Sequence, residues 1–497
     1  MSSLCNTSSL EVYTPSLSMP WNETRARHLF KRAAFGADPQ TIQDALTKSP
    51  TDVVDELVLQ ATNQPLLADP GWGYWNKSEF NERFIDEFAP GSTANYIGIT
   101  NWRNELMYIT ECMQGGIKGR MLFFWFNHFV SESLRIPPFI FQKTQIFQHH
   151  ALGNFKEFVH AMGRTNSMIL YLNRNQNKSN SVNENFAREL FELFTLGVDN
   201  GYTENDIMEA ARALTGFTTQ DVTWSGYYFN EAHFDNGDKT IFGQTGNWGY
   251  DDVIDILFEQ KGDLVAHYIC RKIYKNLVSF DVNEDIVAGL AQVMLNNNFE
   301  ILPVVTTLFK SKHFFNDYAI GTLIKSPQEL LFGMYKDIKA NFDASNEYTL
   351  ANNNGYTRMD VLFRKYDAYV FSYPDVSGFP GDVEWLDTYT MIQRWGASTD
   401  YVYQIWRYNR DVFSDFVLNN FSINDSSETV CNGIIDHFMP KGFKSQLDYD
   451  IALAVFQEGV PEIYFEDGTW DIDYPDLKLQ VRNLMYHIVK LPEFNLS

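Results

Sequence analysis

The sequence predicts a mainly α protein: a large multi-helix domain with irregular loop and short β insertions. Two observations carry this expectation. Apolar residues recur three and four apart through most of the chain, as at Phe186, Leu190, Leu193 and Phe194. Proline and glycine stand where such segments begin and end, as at Asp38-Pro39, Ser326-Pro327 and Gly197. The 40 Phe and 26 Tyr add to this, because so many rings imply thick aromatic packing between helices.

Taken in order, residues 1–22 are rich in Ser, Thr and Pro and read as an extended arm. Residues 23–340 form the expected core domain. From Glu23 two helices are broken at Gly36, the second opening at Asp38-Pro39. Residues 62–95, rich in Pro, Gly, Asn and Trp, read as a long loop or lid. A helix runs from Asn101 to Gln114, and a strongly apolar one from Gly119 to two prolines at Pro137 and Pro138. Further helices cover Phe139–Gly153 and Asn154–Met162. The stretch from Asn183 to Phe217 reads as a helical hairpin, with turns at Gly197 and Gly201. Its second helix starts at Thr203, with Asp206 in the first turn and Met208, Ala211, Leu214 and Phe217 on the buried side. Residues 221–249 lose helical periodicity and suggest a lid-like insertion or a short β-hairpin. Helices resume at Asp251, continue through His267–Leu277, Glu284–Asn296 and Ile301–Lys310, and start again at Pro327. Residues 341–497 form a C-terminal helical part, opening with a polar insertion at 341–368 and carrying an acidic loop between Glu466 and Asp476.

Several motifs resemble those of the bacterial protein family catalogued as domain of unknown function 1800. Asn183 to Thr203 is similar to the family run N-x-N-[YF]-A-R-E-L-x-E-L-H-T-L-G-V followed by G-Y-T. Near the start, RARHLFKRAAFG resembles R-x-x-H-L-x-R-R-x-x-F-G, which puts His28 and Arg32 at family positions. Trp125-Phe126-Asn127-His128-Phe129 resembles W-H-N-H-F. KTIFGQTGNWGYDDVIDIL, IKSPQEL and YPDVSGFPGDVEW resemble three further family stretches, the last including Gly378 and Trp385. Asn183, Asn185, Arg188 and Arg212 complete the family-motif residues. The resemblance runs from about residue 23 to residue 490 and implies a fold rather than a reaction. Two departures stand out: Phe126 and Phe194 replace family histidines. The shared replacement suggests that the two positions face one another and that aromatic contact fills a pocket that polar ligands once lined.

Glu189 and Glu192, three apart on a helix, lie toward one side, and His128 on the apolar helix is a plausible neighbour. These three are the candidate catalytic residues. The same residues also fit a purely structural role, in which Arg188 and Arg212 pair with the acids to fix helix packing. His28 fits helix packing or capping equally well. Asp235-Asn236-Gly237-Asp238 has part of a calcium-loop pattern without its closing Glu, so Asp235 and Asp238 are weak metal candidates beside a polar-turn reading. The acidic loop of Glu466, Asp467, Asp471, Asp473 and Asp476 carries the same limitation. Asp375, Asp382 and Glu384 are the only proton-transfer groups near Gly378, whose segment reads as a structural turn that could wall a pocket. A divalent metal is the one cofactor class left open. No P-loop occurs, no nucleophile elbow of the G-x-S-x-G kind, and GQTGNWG follows no βαβ unit, so a nucleotide cofactor is rejected.

The formal charge of −24, from 39 basic against 63 acidic residues, disfavours nucleic acid as a partner. Four scattered cysteines, Cys5, Cys112, Cys270 and Cys431, make no metal spacing, and Cys112 and Cys270 read as buried thiols. No segment has the length and hydropathy of a membrane span, and the N-terminus has no secretory pattern. The expectation is a cytoplasmic location, with partner-assisted export left open. Function is expected to be that of an interaction or scaffold component in a larger assembly with an altered family pocket. Family analogy suggests an alkaline-phosphatase-like partner. The alternative is a metal- or carboxylate-dependent hydrolase using Glu189, Glu192 and His128.

Overall fold

Helix-start chemistry recurs along this chain and divides it into segments. Asn22 accepts a hydrogen bond from Arg25 N and caps Glu23–Ala34, which ends at the left-handed Phe35 and Gly36. Asp38 and Pro39 open the next helix, Ser49 and Pro50 open Pro50–Asn63, and Ser326 with Pro327 and Glu329 opens Pro327–Asp337. Thr203 and Asp206 form a reciprocal capping box on Glu204–Ala213. The computed structural model describes residues 9–88, 96–132, 136–219, 224, 226–340, 363, 365 and 368–497. It is 61% helical and only 4% strand, which makes the protein mainly α. Its strands form two antiparallel hairpins, Phe217–Thr219 with Tyr227–Phe229 and Lys239–Ile241 with Gln244–Gly246.

The 28-residue helix Tyr250–Leu277 is the longest, and Glu284–Asn296 packs along it. Its buried stripe, including Val253, Leu257, Val265, Ile269, Ile273 and Leu277, belongs to one continuous core. Burial of each such side chain favours the fold by about 1.5–3 kcal/mol. The same cluster contains Leu29 and Trp125 as well as Phe363, Trp385, Tyr401 and Phe494, so residues on either side of 340 share it. A smaller aromatic cluster gathers Trp72, Phe80, Phe84 and Phe141. The arm is tied down where Tyr13 N donates to Lys310 O and Lys312 N donates to Glu11 O. Cys112, Cys270 and Cys431 are free and buried, while Cys5 lies outside the described residues.

Buried charge also joins the first helix to the C-terminal part. Arg32, 1% exposed, donates to the backbone oxygens of Ser497, Val278 and Ala319 and to Ser497 Oγ. Lys31 meets Asp337 at 3.5 Å with both side chains buried. His28 donates Nε2–H to Phe314 O at 3.0 Å and packs on the Phe314 ring.

Several segment expectations are corrected. The apolar helix is Gly116–His128 and stops nine residues before Pro137. Pro137 and Pro138 instead occupy the first turn of Pro137–His150, where a missing N–H leaves no helical bond unmade. The loop expected at 62–95 contains the helix Lys77–Phe88, capped reciprocally by Asn76 and Glu79, whose Phe80 and Phe84 supply the smaller cluster. Met208 is 44% exposed, and Ile207, Ala210 and Ala211 form the buried side of its helix. Of the polar insertion expected at 341–368, only residues 363, 365 and 368 are among the described residues.

Candidate functional site

Three motif segments far apart in sequence converge on one cavity of about 250 Å³. The helix Gly116–His128 contributes Asn127 and His128, the start of Pro327–Asp337 contributes Gln328 and Glu329, and the loop after Tyr373 contributes Phe379 to Trp385. Lys272, Lys275 and Asn276, from the last turns of Tyr250–Leu277, complete one wall. Tyr108, Phe371, Tyr373 and Phe280 line much of the rest.

Asn127 holds the loop in place. Its Oδ1 accepts from Phe379 N at 2.7 Å, and its Nδ2 donates to Phe379 O at 3.3 Å. Gly378 sits at φ +92, and a Cβ there would lie 2.5 Å from Asn127 O, so the loop can approach only without a side chain. Asp382 follows in the left-handed region at φ 55, and Trp385 is buried beneath the loop against Phe379.

The cavity has an unbalanced charge. Glu329 is neutralised by buried Arg120, which also donates to Asn276 O at 3.0 Å. Burial foremost, then the Arg271 charge, lower the Lys275 pKa, with Glu284 and Asp382 opposing. The half-buried Lys272 amine has no ion-pair or hydrogen-bond partner among the described residues. Burial, and then the Lys275 charge one turn away, push its pKa down to about 8. Two nearby polar atoms are also without partners: His128 Nδ1 and Asn276 Oδ1.

The tautomer of His128 follows from its other nitrogen. Nε2 lies 3.1 Å from Phe194 O, and a carbonyl only accepts, so Nε2 carries the hydrogen and Nδ1 is a bare lone pair. Burial foremost, then the Lys272 charge, hold the imidazole well below its usual pKa. The Phe194 carbonyl is available because it lies in the last turn of its helix, which ends at Thr195 and leaves its final carbonyls without helical donors. Asn185–Glu189 is α, but Leu190–Thr195 is a π-helix, with Leu196 N donating to Phe191 O. Leu193 O is likewise taken by Tyr268 Oη at 3.0 Å.

The carboxylate pair therefore spans the α-to-π junction rather than one regular helix. Arg188 forks onto Glu204 at 3.0 and 2.8 Å and also reaches Glu184 and Glu192. Burial, then the Glu192 charge, raise the pKa of Glu189, with Arg188 opposing. His128 is bonded instead to Phe194 O and feels the Lys272 charge. Arg212 is not part of this ion-pair group: it pairs with Glu209 and Asp235 and donates to Asp238 O. A guanidinium thus lies against the Asp235–Asp238 turn. Asp467 and Asp471 are engaged by backbone N–H groups of their own loop. Among the described residues, no group of three or more His, Cys, Asp or Glu is placed to hold a metal ion.

Phe126 and Phe194 do not face one another. Phe126 packs on Tyr108, Phe147 and Phe371, whereas Phe194 packs on His128 and Phe129, and the two sets connect only through Phe129 and Phe147. Just before the central helix Asn183 Oδ1 accepts from Asn185 N at 3.0 Å, and Asn183 N is held by Asn177 Oδ1. Lys272, Lys275, Asn276 and Asn127 were missing from the sequence-derived site. Asn127 alone had a signal, because it lies inside the WFNHF motif.

No helix among the described residues is long and apolar enough to cross a membrane. The family described as "Protein of unknown function (DUF1800)" matches residues 28–496, and the chain belongs to that family. No curated protein matches the chain. No solved structure matches it either.

Proposed function

We propose that this DUF1800-family protein binds a small organic anion with an aromatic or apolar body in the cavity beside His128. The observation that carries this reading is an uncompensated Lys272 among aromatic walls: a carboxylate restores charge balance there while its body displaces water from the rings. Lys275 and the unpartnered Asn276 Oδ1 supply further polar contacts. Phenylacetate and phenyllactate, compared with neutral phenylacetamide, test it by calorimetry and thermal shift. The acids are expected to bind and the amide not, and Lys272→Met is expected to weaken the acids about tenfold or more. Equal binding of acid and amide, or binding of neither, sinks the reading. Glu189 and Glu192 take no part in it.

A second reading, as a component of a protein assembly, is supported by the helix Thr388–Asn409. Tyr389, Ile392, Trp395 and Tyr403 are 57%, 60%, 41% and 45% exposed along one side of it. Native mass spectrometry of the protein from its own cells tests this. A partner subunit lost on Ile392→Asp and Trp395→Asp supports the assembly reading, and a partner retained by both variants counts against this face.

A further inference from the structure

We propose that Lys272 is a nucleophile and that the cavity takes a 2-oxo acid with an aromatic or apolar side chain, which Lys272 binds as an imine. The inference rests on the anion-binding reading above and adds a covalent step to it. Lys272 and Lys275 lie one turn apart on Tyr250–Leu277 and share the cavity wall. A 2-oxo acid places its carboxylate next to its ketone, so Lys275 can hold the first while Lys272 meets the second. The aromatic wall of Tyr108, Phe280, Phe371 and Tyr373 suits the remaining side chain.

The surroundings of Lys272 fit this chemistry. A lysine desolvated beside a second cation keeps its free amine near neutral pH, the usual activation of an imine-forming lysine. The amine nitrogen adds to the ketone carbon, the C=O π pair moves to oxygen, and that oxygen takes a proton from solvent, whose charge the iminium product carries. The nitrogen then releases a proton to water in the cavity. Returned to the carbinolamine hydroxyl, that proton leaves with it as water while C=N forms. No electrons are gained or lost.

Two other lysines of lowered proton affinity are engaged elsewhere. Lys143 donates to Ser131 O and Oγ beneath the rings of Phe126 and Phe147, and Lys325 donates to Phe494 O. Lys272 makes no ion pair or hydrogen bond among the described residues, has its Nζ 5.4 Å from the Tyr268 ring centroid, and lines the cavity beside His128.

Phenylpyruvate with sodium cyanoborohydride tests the proposal on the full-length protein, because hydride reduction of the imine fixes the ligand as a secondary amine. The expected product is one adduct weighing the acid less one oxygen atom, mapped by peptide sequencing to Lys272. It should form about tenfold or more faster than on surface lysines. Lys272→Arg is expected to abolish the adduct, and the parent protein is expected to bind phenyllactate, which has the acid and ring but no ketone. Phenyllactate bound without any Lys272 adduct from phenylpyruvate overturns the covalent step and leaves anion binding standing. Adducts spread over many lysines overturn it too. If neither acid binds, both readings fall.

Discussion

His28 and His128 are bonded alike. Each donates Nε2–H to the carbonyl of a phenylalanine, at 3.0 and 3.1 Å, and each leaves a bare Nδ1. Burial dominates in lowering the pKa of both. Their surroundings differ. Around His28, Arg32 donates to four acceptors, with only its Nε left over, and Lys31 meets Asp337, so the region is filled. Around His128 there is open volume, a lysine with no ion pair or hydrogen bond among the described residues, and a loop brought in by Asn127. A family-position histidine therefore marks a site only where space and unanswered charge accompany it.

Substitutions can break this contrast, and the largest effect is expected in the filled region. Arg32→Leu leaves several buried carbonyls without donors, and a loss of about 3–5 kcal/mol is expected in urea unfolding at neutral pH. A loss under about 1 kcal/mol removes the claim that this arginine ties the two parts together. Gly378→Ala comes next, at about 1–3 kcal/mol, with loss of ligand binding because the cavity loop must move away from Asn127. Gly243 is the control: its φ is +81 but a Cβ there meets nothing within 4 Å. Gly243→Ala should therefore cost less and leave binding intact, as read by the same unfolding and binding measurements.

Lys272→Met is expected to act in the opposite direction. The folded pKa of about 8 lies below the ordinary 10.5, so between these values the unfolded chain binds more protons than the folded one. Native stability attributable to this group therefore rises with pH across that window and is lowest below pH 8. The methionine variant should melt higher than the parent at pH 7, with the gain shrinking as pH climbs toward 10.5, as followed by thermal unfolding. A gain that does not change with pH contradicts the charge argument. Smallest is Arg188→Met: its fork with Glu204 is solvent-screened, and a loss within about 1 kcal/mol is expected by chemical denaturation.

How far the sequence reaches can be seen in the same residues. Asp38-Pro39, Ser326-Pro327 and Thr203 with Asp206 announce helix starts because capping is local chemistry, readable three residues at a time. Lys77–Phe88 was hidden because KSEFNERF mixes charge with aromatics whose burial depends on Trp72 and Phe141. Lys272 and Lys275 were unreadable for a related reason: on a long amphipathic helix, two lysines one turn apart look like a solvated face. Only the distant loop of Gly378 to Trp385 turns that face into a wall. The π turn gives no local signal either, since FELFT suits an α-helix equally well.

That widened turn has a consequence for robustness. An imidazole oriented by a carboxylate has its proton position set by a charge, which salt, pH or a single substitution can remove. His128 takes its proton position from a main-chain carbonyl that the turn leaves for it. No side-chain replacement deletes that carbonyl, whereas losing one residue from 190–195 shifts the ladder and redirects it. The proton position of this imidazole is therefore inherited through chain length rather than through side-chain identity, and insertions and deletions, more than point changes, are the lesions to which it is exposed.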